Sequence, residues 1–103
     1  MTSIETVHDP AKSRYEAWID GELAGFAEYQ LASSIIVFTH TEVPDRFEGR
    51  GVGSAIARYA LDDVRADGSR RVLAICPFIG GWIARHRDYA DLLYGAPVST
   101  ARD

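Results

Sequence analysis

The run Gly49-Arg50-Gly51-Val52-Gly53 is the stretch of this chain best suited to chemistry. It follows an apolar run that stops at Pro44 and opens a run of helical period from Ser54 onward. Glycines this dense let the backbone approach a ligand with no Cβ in the way. The free N–H groups at a helix start point outward, and the helix dipole adds partial positive charge there. Together these make a cradle for phosphate or pyrophosphate. Arg46 and Arg50 add charge and donors, and Ser54 adds a hydroxyl. The competing reading is a plain flexible loop with solvated arginines. The spacing is not that of a P-loop, since no Lys-Ser or Lys-Thr follows the last glycine. Nor is it a dinucleotide fingerprint: Gly49, Gly51 and Gly53 lie too close together, and no acidic residue follows about 20 positions on at a strand end.

The elements that must hold this loop are legible on both sides. Arg14 to Ile19 alternates as a strand, and Asp20-Gly21 is a strong hairpin signal because the turn needs positive φ. The partner strand, Glu22 to Leu31, puts Leu23, Gly25, Ala27, Tyr29 and Leu31 on one face. Ser33-Ser34 turns the chain again. Ile35 to Val43 reads as a third strand, β-branched and apolar on both faces at its start, hence interior to the sheet. Pro44 ends it. Val52, Ile56, Tyr59, Ala60 and Val64 form one helical stripe, and Gly68 sits where a C-terminal glycine cap belongs. Arg71 to Cys76 is a short strand broken by Pro77, which suits the first turn of another helix. Residues 79–87 read as a weaker helix because Gly80-Gly81 costs about 1 kcal/mol per glycine, and 88–94 as one more short turn. Residues 1–13 read as a loose lead-in with room for a short strand, and the tail after Gly95 as frayed.

The expected fold is therefore α/β (α+β): an antiparallel meander, a right-handed parallel β-α-β crossover and a C-terminal helix. At 103 residues the chain supports a single domain, 1–103, with a core of about 14–94. Hydrophobic residues at 47% and charged residues at 25% give ordinary globular composition. The balance of 11 Lys+Arg against 15 Asp+Glu, a net −4, argues against nucleic-acid binding, which needs a basic footprint. Cys76 is the lone cysteine, so an internal disulfide and CxxC metal sites are excluded and no metal is expected. No apolar run reaches the roughly 20 residues of a membrane span and no signal-peptide core is visible, so a cytoplasmic protein without a membrane partner is expected.

Glu48-Gly49-Arg50-Gly51-Val52-Gly53 resembles the acetyl-CoA pyrophosphate loop of the GNAT N-acetyltransferase superfamily, usually Gln or Arg, two residues, Gly, one residue, Gly or Ala. Gly51 and Gly53 match its glycines, whereas Glu48 stands where Gln or Arg is usual. His40-Thr41-Glu42-Val43, Cys76-Pro77-Phe78 and His86-Arg87-Asp88-Tyr89 extend the resemblance, over roughly 14–94, to the minimal GNAT-like family of the N-acetyltransferase domain-containing protein 1 type. That family often has proline where Arg87 stands, and better helix formers in place of Gly80-Gly81.

The resemblance implies a cofactor, acetyl-CoA, and an amine acceptor. The strand through Glu42 and Val43 would bond the pantetheine arm. Arg46, Glu48, Gly49, Arg50, Gly51, Val52, Gly53 and Ser54 would form the pyrophosphate loop, and Cys76 and Phe78 would line the thioester pocket. The parallel strands would splay at their carboxyl ends, consistent with where open α/β sheets bind ligands. Cys76 reads as a nucleophile, as a pocket wall or as a small core residue. His40 and Glu42, two apart on one strand, share a face and are candidates for the base; the bland alternative is a satisfied sheet histidine and a solvated carboxylate. Tyr89 is a candidate acid or a packing residue, and His86 a surface or structural one. Trp18, Phe26, Phe38 and Trp82 read as core or cleft wall.

The expected activity is acetyl transfer to a primary amine, small molecule or lysine, by direct attack on the thioester. The first alternative is a CoA- or acyl-CoA-binding module with little turnover, because larger GNAT domains place helices where this chain has a two-residue hairpin. The second is a phosphate- or nucleotide-binding regulatory domain. The expected state is a monomer or weak homodimer.

Overall fold

The computed structural model describes residues 3–96. Residues 1–2 and the end of the tail, 97–103, lie outside the described residues, so the expectation of a frayed tail is not addressed there. Five strands form one sheet in sequential order: β1 (Glu5–Asp9), β2 (Arg14–Ile19), β3 (Glu22–Leu31), β4 (Ile35–Glu42) and β5 (Arg71–Ala74). The first three pairings are antiparallel and β4–β5 is parallel. Between β4 and β5 runs helix α1 (Val52–Asp67), and helix α2 (Pro77–Arg85) follows β5. Single-turn 3-10 helices sit at Pro10–Lys12 and Asp45–Phe47, and a longer one at Arg87–Leu92. This is the expected mixed α+β architecture.

Local chemistry accounts for the boundaries. Asp20 and Gly21 both take positive φ, 50° and 79°, the geometry that a two-residue hairpin matched to strand twist requires. Gly68 caps α1 in the left-handed conformation, its N–H donating to Val64 O. Pro77 opens α2, where its missing N–H costs nothing.

Four details differ from expectation. The lead-in supplies a full edge strand, β1. Helix α1 begins at Val52 rather than Ser54, because Gly51 at φ 81° serves as its N-cap. β5 stops at Ala74 because the next two amides, of Ile75 and Cys76, both turn to Phe38 O, at 3.0 and 2.9 Å. α2 starts and ends two residues earlier than 79–87, at Pro77 and Arg85, where His86 leaves helical geometry.

The core lies between one face of the sheet and the helices. Ile56, Ala57, Ala60, Leu61 and Val64 of α1 are buried with Tyr15, Ala17, Ala27, Tyr29, Ile36 and Phe38. The β2–β3 register shifts between Ala17 and Trp18, which leaves Ala24 as an extra residue and buries it beside Gly25. Alternation in β3 is therefore broken at Ala24 and Gly25, while Leu31, of the same parity as buried Ala27 and Tyr29, is 54% exposed at the end of the strand. Residues of opposite parity, such as Phe26, Glu28, His40 and Leu73, are half-buried or exposed. Glu16 is the exception there, buried beneath Arg14 and Trp18.

Candidate functional site

The site is built where β4 and β5 separate. Their pairing ends at Phe38 opposite Ala74, while β4 continues to Glu42 without β5 beside it. Just past that point β4 carries a bulge: Phe38 opposes Tyr29 and His40 opposes Glu28, leaving Thr39 without a partner. One extra residue inverts the parity of everything after it. Phe38 is buried on the helical side, and Thr41 and Val43 continue that face into a cleft. His40 and Glu42 go to the other face.

The cleft has a volume of about 520 Å³, within the usual range for a small-molecule site. Thr41 and Val43 form one wall, and Phe78, Trp82, Arg85 and His86 of the α2 region another. Glu48, Gly49 and Gly51 to Ser54 complete it, with Phe47 buried beneath the loop. Gly49 and Gly51 take φ of 78° and 81°, which only glycine holds without strain. Gly53 has ordinary helical geometry, and its need is for room: a Cβ there would lie 2.7 Å from Phe78 Cζ. α1 has no side-chain cap, and its first turn bonds begin with Ala55 N to Gly51 O. Among the described residues the amides of Val52, Gly53 and Ser54 have no acceptor and are thus orphan donors at the positive end of a 16-residue helix, bordering the cleft. A pyrophosphate fits this donor set.

The other expected residues are distributed as follows. Arg46 pairs with Glu22 at 2.9 Å and lies over the Phe47 ring, and Arg50 lies over the same ring. Both arginines border a smaller depression toward the β2–β3 hairpin and do not line the cleft. Cys76 is buried at the base of the gap, and its thiol donates to Thr41 Oγ1 at 3.2 Å. His40 Nε2 meets Glu42 Oε1 at 3.2 Å, with both side chains more than half exposed and the imidazole edge-on to Phe26. Tyr89 is buried, and its hydroxyl donates to Asp62 Oδ1 at 2.6 Å. That bond, with burial, raises the Tyr89 hydroxyl above its ordinary range. His40, Glu42, Cys76 and Tyr89 do not line the cleft itself.

Sequence reasoning missed Arg85 and His86 as cleft residues, and read Trp82 only as apolar wall. The signal was available: Phe78, Trp82, Arg85 and His86 stand at helical spacing of four, three and one, a single stripe.

Comparison with known proteins agrees with this geometry. Residues 14–92 match the family model described as GCN5-related N-acetyl-transferase. Protein NATD1 of Xenopus tropicalis is 31% identical over 65 residues, which span 61% of this chain and 60% of that relative. A GCN5-like protein of Staphylococcus aureus, solved by NMR, superposes over 100% of both chains with a TM-score of 0.69 at 18% identity. The ribosomal-protein-S18-alanine N-acetyltransferase of Escherichia coli superposes over 85% of this chain and 76% of its own with a TM-score of 0.62 at 14% identity. With the orphan amides, the glycine loop and the strand splay in one cleft, and a family model matched along 14–92, the chain belongs to the GCN5-related N-acetyl-transferase family.

Proposed function

We propose that this chain is an acetyl-CoA-dependent N-acetyltransferase acting on a primary amine, of a small molecule or a lysine. The observation that carries the reading is the set of unpaired amides of Val52, Gly53 and Ser54 bordering a cleft that begins at the β4–β5 gap. The amides take the pyrophosphate. The backbone of Thr41 to Val43, free of β5 on that side, takes the pantetheine arm as an added strand would. Acetyl-CoA supplies an activated thioester when bound. The amine approaches the gap from the face that bears His40 and Glu42, and that pair accepts the proton it gives up, directly or through water. The C–N bond forms as the C–S bond breaks, with the proton balance closed by protonating the departing thiolate. Cys76 walls the gap. The chain acts as a single domain, monomeric or weakly dimeric, in the cytoplasm. Among the described residues no helix is long and apolar enough to cross a membrane.

A second reading is a CoA-binding module with little turnover. It is favoured by the openness of the sheet face around His40 and Glu42, where both side chains are more than half exposed and, among the described residues, no helix walls an acceptor. One experiment separates the two. Thermal melting with acetyl-CoA at about 100 times its Kd adds about 2.7 kcal/mol of stability if the site binds it. Release of free CoA with mixed primary amines, abolished in His40→Ala or Glu42→Gln while the melting shift persists, identifies the enzyme. No melting shift would sink both readings.

A further inference from the structure

Trp82 carries a polar contact that a purely apolar wall residue would lack. Its ring is 2% exposed. It stacks on the His86 imidazole, with centroids 3.8 Å apart and planes 13° apart, and meets Tyr89 edge-on at 5.1 Å. Its one polar side-chain atom, Nε1, donates to Ser54 Oγ at 2.9 Å.

Ser54 lies in the first turn of α1, beside the orphan amides, and lines the cleft. A serine hydroxyl has one proton and two lone pairs. The indole N–H occupies the acceptor side, and among the described residues no protein acceptor takes the Ser54 proton. The hydroxyl is therefore biased to act as a donor toward whatever enters the cleft. An anionic oxygen is the natural partner for that proton.

His86 is mounted on the same tryptophan. The Trp82 carbonyl can only accept, so at 2.7 Å it fixes the proton of that bond on Nδ1. This leaves Nε2 as the ring's free nitrogen, and His86 and Arg85 both line the cleft. Neither Arg46 nor Arg50 does, so the basic side chains bordering the cleft come from the α2 end.

We infer that Trp82 is a positioning residue for phosphate recognition: its indole N–H biases the Ser54 hydroxyl to donate to a phosphate group of the ligand, and its ring and carbonyl fix the His86 ring beside Arg85 on the α2 side of the cleft. The inference rests on the reading of the cleft as a CoA site. It goes further in assigning α2 a share of anion binding and in giving a core tryptophan a role in ligand choice. The phosphate concerned is either the pyrophosphate or the 3′-phosphate.

The test is titration calorimetry of the full chain with CoA, 3′-dephospho-CoA and pantetheine. Trp82→Phe keeps the ring and the stack but removes the donor. It should weaken CoA about tenfold, the size of effect expected for losing support of a hydrogen bond to a charged group, and leave pantetheine unchanged. Ser54→Ala should match it, the double variant should lose no more than either single, and Ser54→Thr should retain most of the affinity. Loss on CoA and 3′-dephospho-CoA alike places the contact at the pyrophosphate, and loss on CoA alone places it at the 3′-phosphate. CoA affinity unchanged in Trp82→Phe, additive losses in the double variant, or equal loss on pantetheine would overturn the inference and leave the CoA reading standing. If Trp82→Phe fails to fold, the Ser54→Ala and Ser54→Thr pair decides: equal affinity in both refutes it. Wild-type chain that takes up no CoA removes the underlying reading itself.

Discussion

The Cys76 thiol lies 3.2 Å from the Thr41 hydroxyl oxygen, bridging the gap that opens where β4 and β5 part. The contact joins the end of one parallel strand to the continuation of the other, and the thiol is buried at its base. The thiol is engaged with a neighbouring hydroxyl and does not border the cleft, so it is packed into the fold rather than presented to a ligand. Cys76→Ser, which keeps a donor of similar size, is expected to retain turnover to within about fivefold, since a neutral hydrogen bond contributes about 1 kcal/mol. Mass spectrometry after incubation with acetyl-CoA is expected to find no acetyl group on Cys76. An acetyl adduct there, together with an inactive Cys76→Ser, would make the thiol the acceptor and reverse this assignment.

Gly25 is the point where β3 presses on the cleft wall. A Cβ there would stand 2.9 Å from Glu42 O and 3.1 Å from methyls of Val43 and Val52. One of those atoms is backbone and the others are packed, so none yields cheaply. Gly25→Ala is expected to cost about 1–3 kcal/mol, as overpacked cores do. For a domain this size that lowers Tm by several degrees per kcal/mol. CoA affinity should fall with it, because the displaced atoms belong to the wall formed by Val43 and Val52. A variant with unchanged Tm would mean that the strand pair is looser than these distances imply.

Gly53→Ala should separate stability from binding. The position is helical, where alanine is favoured over glycine by up to about 1 kcal/mol. The three atoms nearest the new methyl all belong to the Phe78 ring, the closest at 2.7 Å, and that side chain is 36% exposed, so it is the group that must yield. Thermal stability should therefore hold or rise, while CoA binding weakens because the displaced ring moves into the cleft beside the amides. Phe78→Ala in the same background should restore binding. Equal affinity in wild type and Gly53→Ala would show that the ring's placement does not matter to the ligand.

What could be read from the sequence and what could not divide along a physical line. The Asp20-Gly21 turn, the glycine cap at Gly68, the stop at Pro44 and the stripe through Val52, Ile56, Ala60 and Val64 are each determined within a few residues of chain. The glycine loop before α1 is of the same kind, since glycine spacing before a helix is a local pattern. The two bulges are not. Ala24 and Thr39 are extra residues only relative to the strand opposite, so no property of β3 or β4 alone reveals them. That is why His40 and Glu42 could be assigned a common face without knowing which one. The bulge at Thr39 put Thr41 on the cleft side instead. Arg46 and Arg50 misled for a similar reason: their charge suits an anion loop, but Glu22, distant in sequence, and the Phe47 ring hold them over a separate depression.

Glu16 offers a test on the open face of the sheet. It is 4% exposed, and its carboxylate accepts from Arg14 Nε at 2.7 Å and Trp18 Nε1 at 2.9 Å. Arg14 in turn lies 4.7 Å from the Phe26 ring centroid, so the ion pair is packed beneath aromatic surface. Burial alone would push the carboxyl up, but the bonds from Arg14 and Trp18 outweigh it and hold Glu16 below its ordinary range. A folded-state value below the unfolded one means that the carboxylate stabilises the fold above the ordinary glutamate range and that this contribution is lost as pH falls through the folded value. Urea midpoints measured from neutrality to about pH 3 should fall less steeply in Glu16→Gln than in wild type. Asp67 and Asp91 are also held low, by Ser69 and by Arg65, so the informative quantity is the difference between variant and parent. Arg14→Met removes the cation while keeping an apolar stem over Phe26. At neutral pH it should cost about 3 kcal/mol, the scale for stranding a buried charge. With Arg14 gone, burial dominates and the Glu16 value rises above that of the unfolded chain, so the cost relative to wild type should shrink on acidification. A cost that stays constant with pH would mean that water reaches the carboxylate and that the open face is not sealed by Arg14, Trp18 and Phe26.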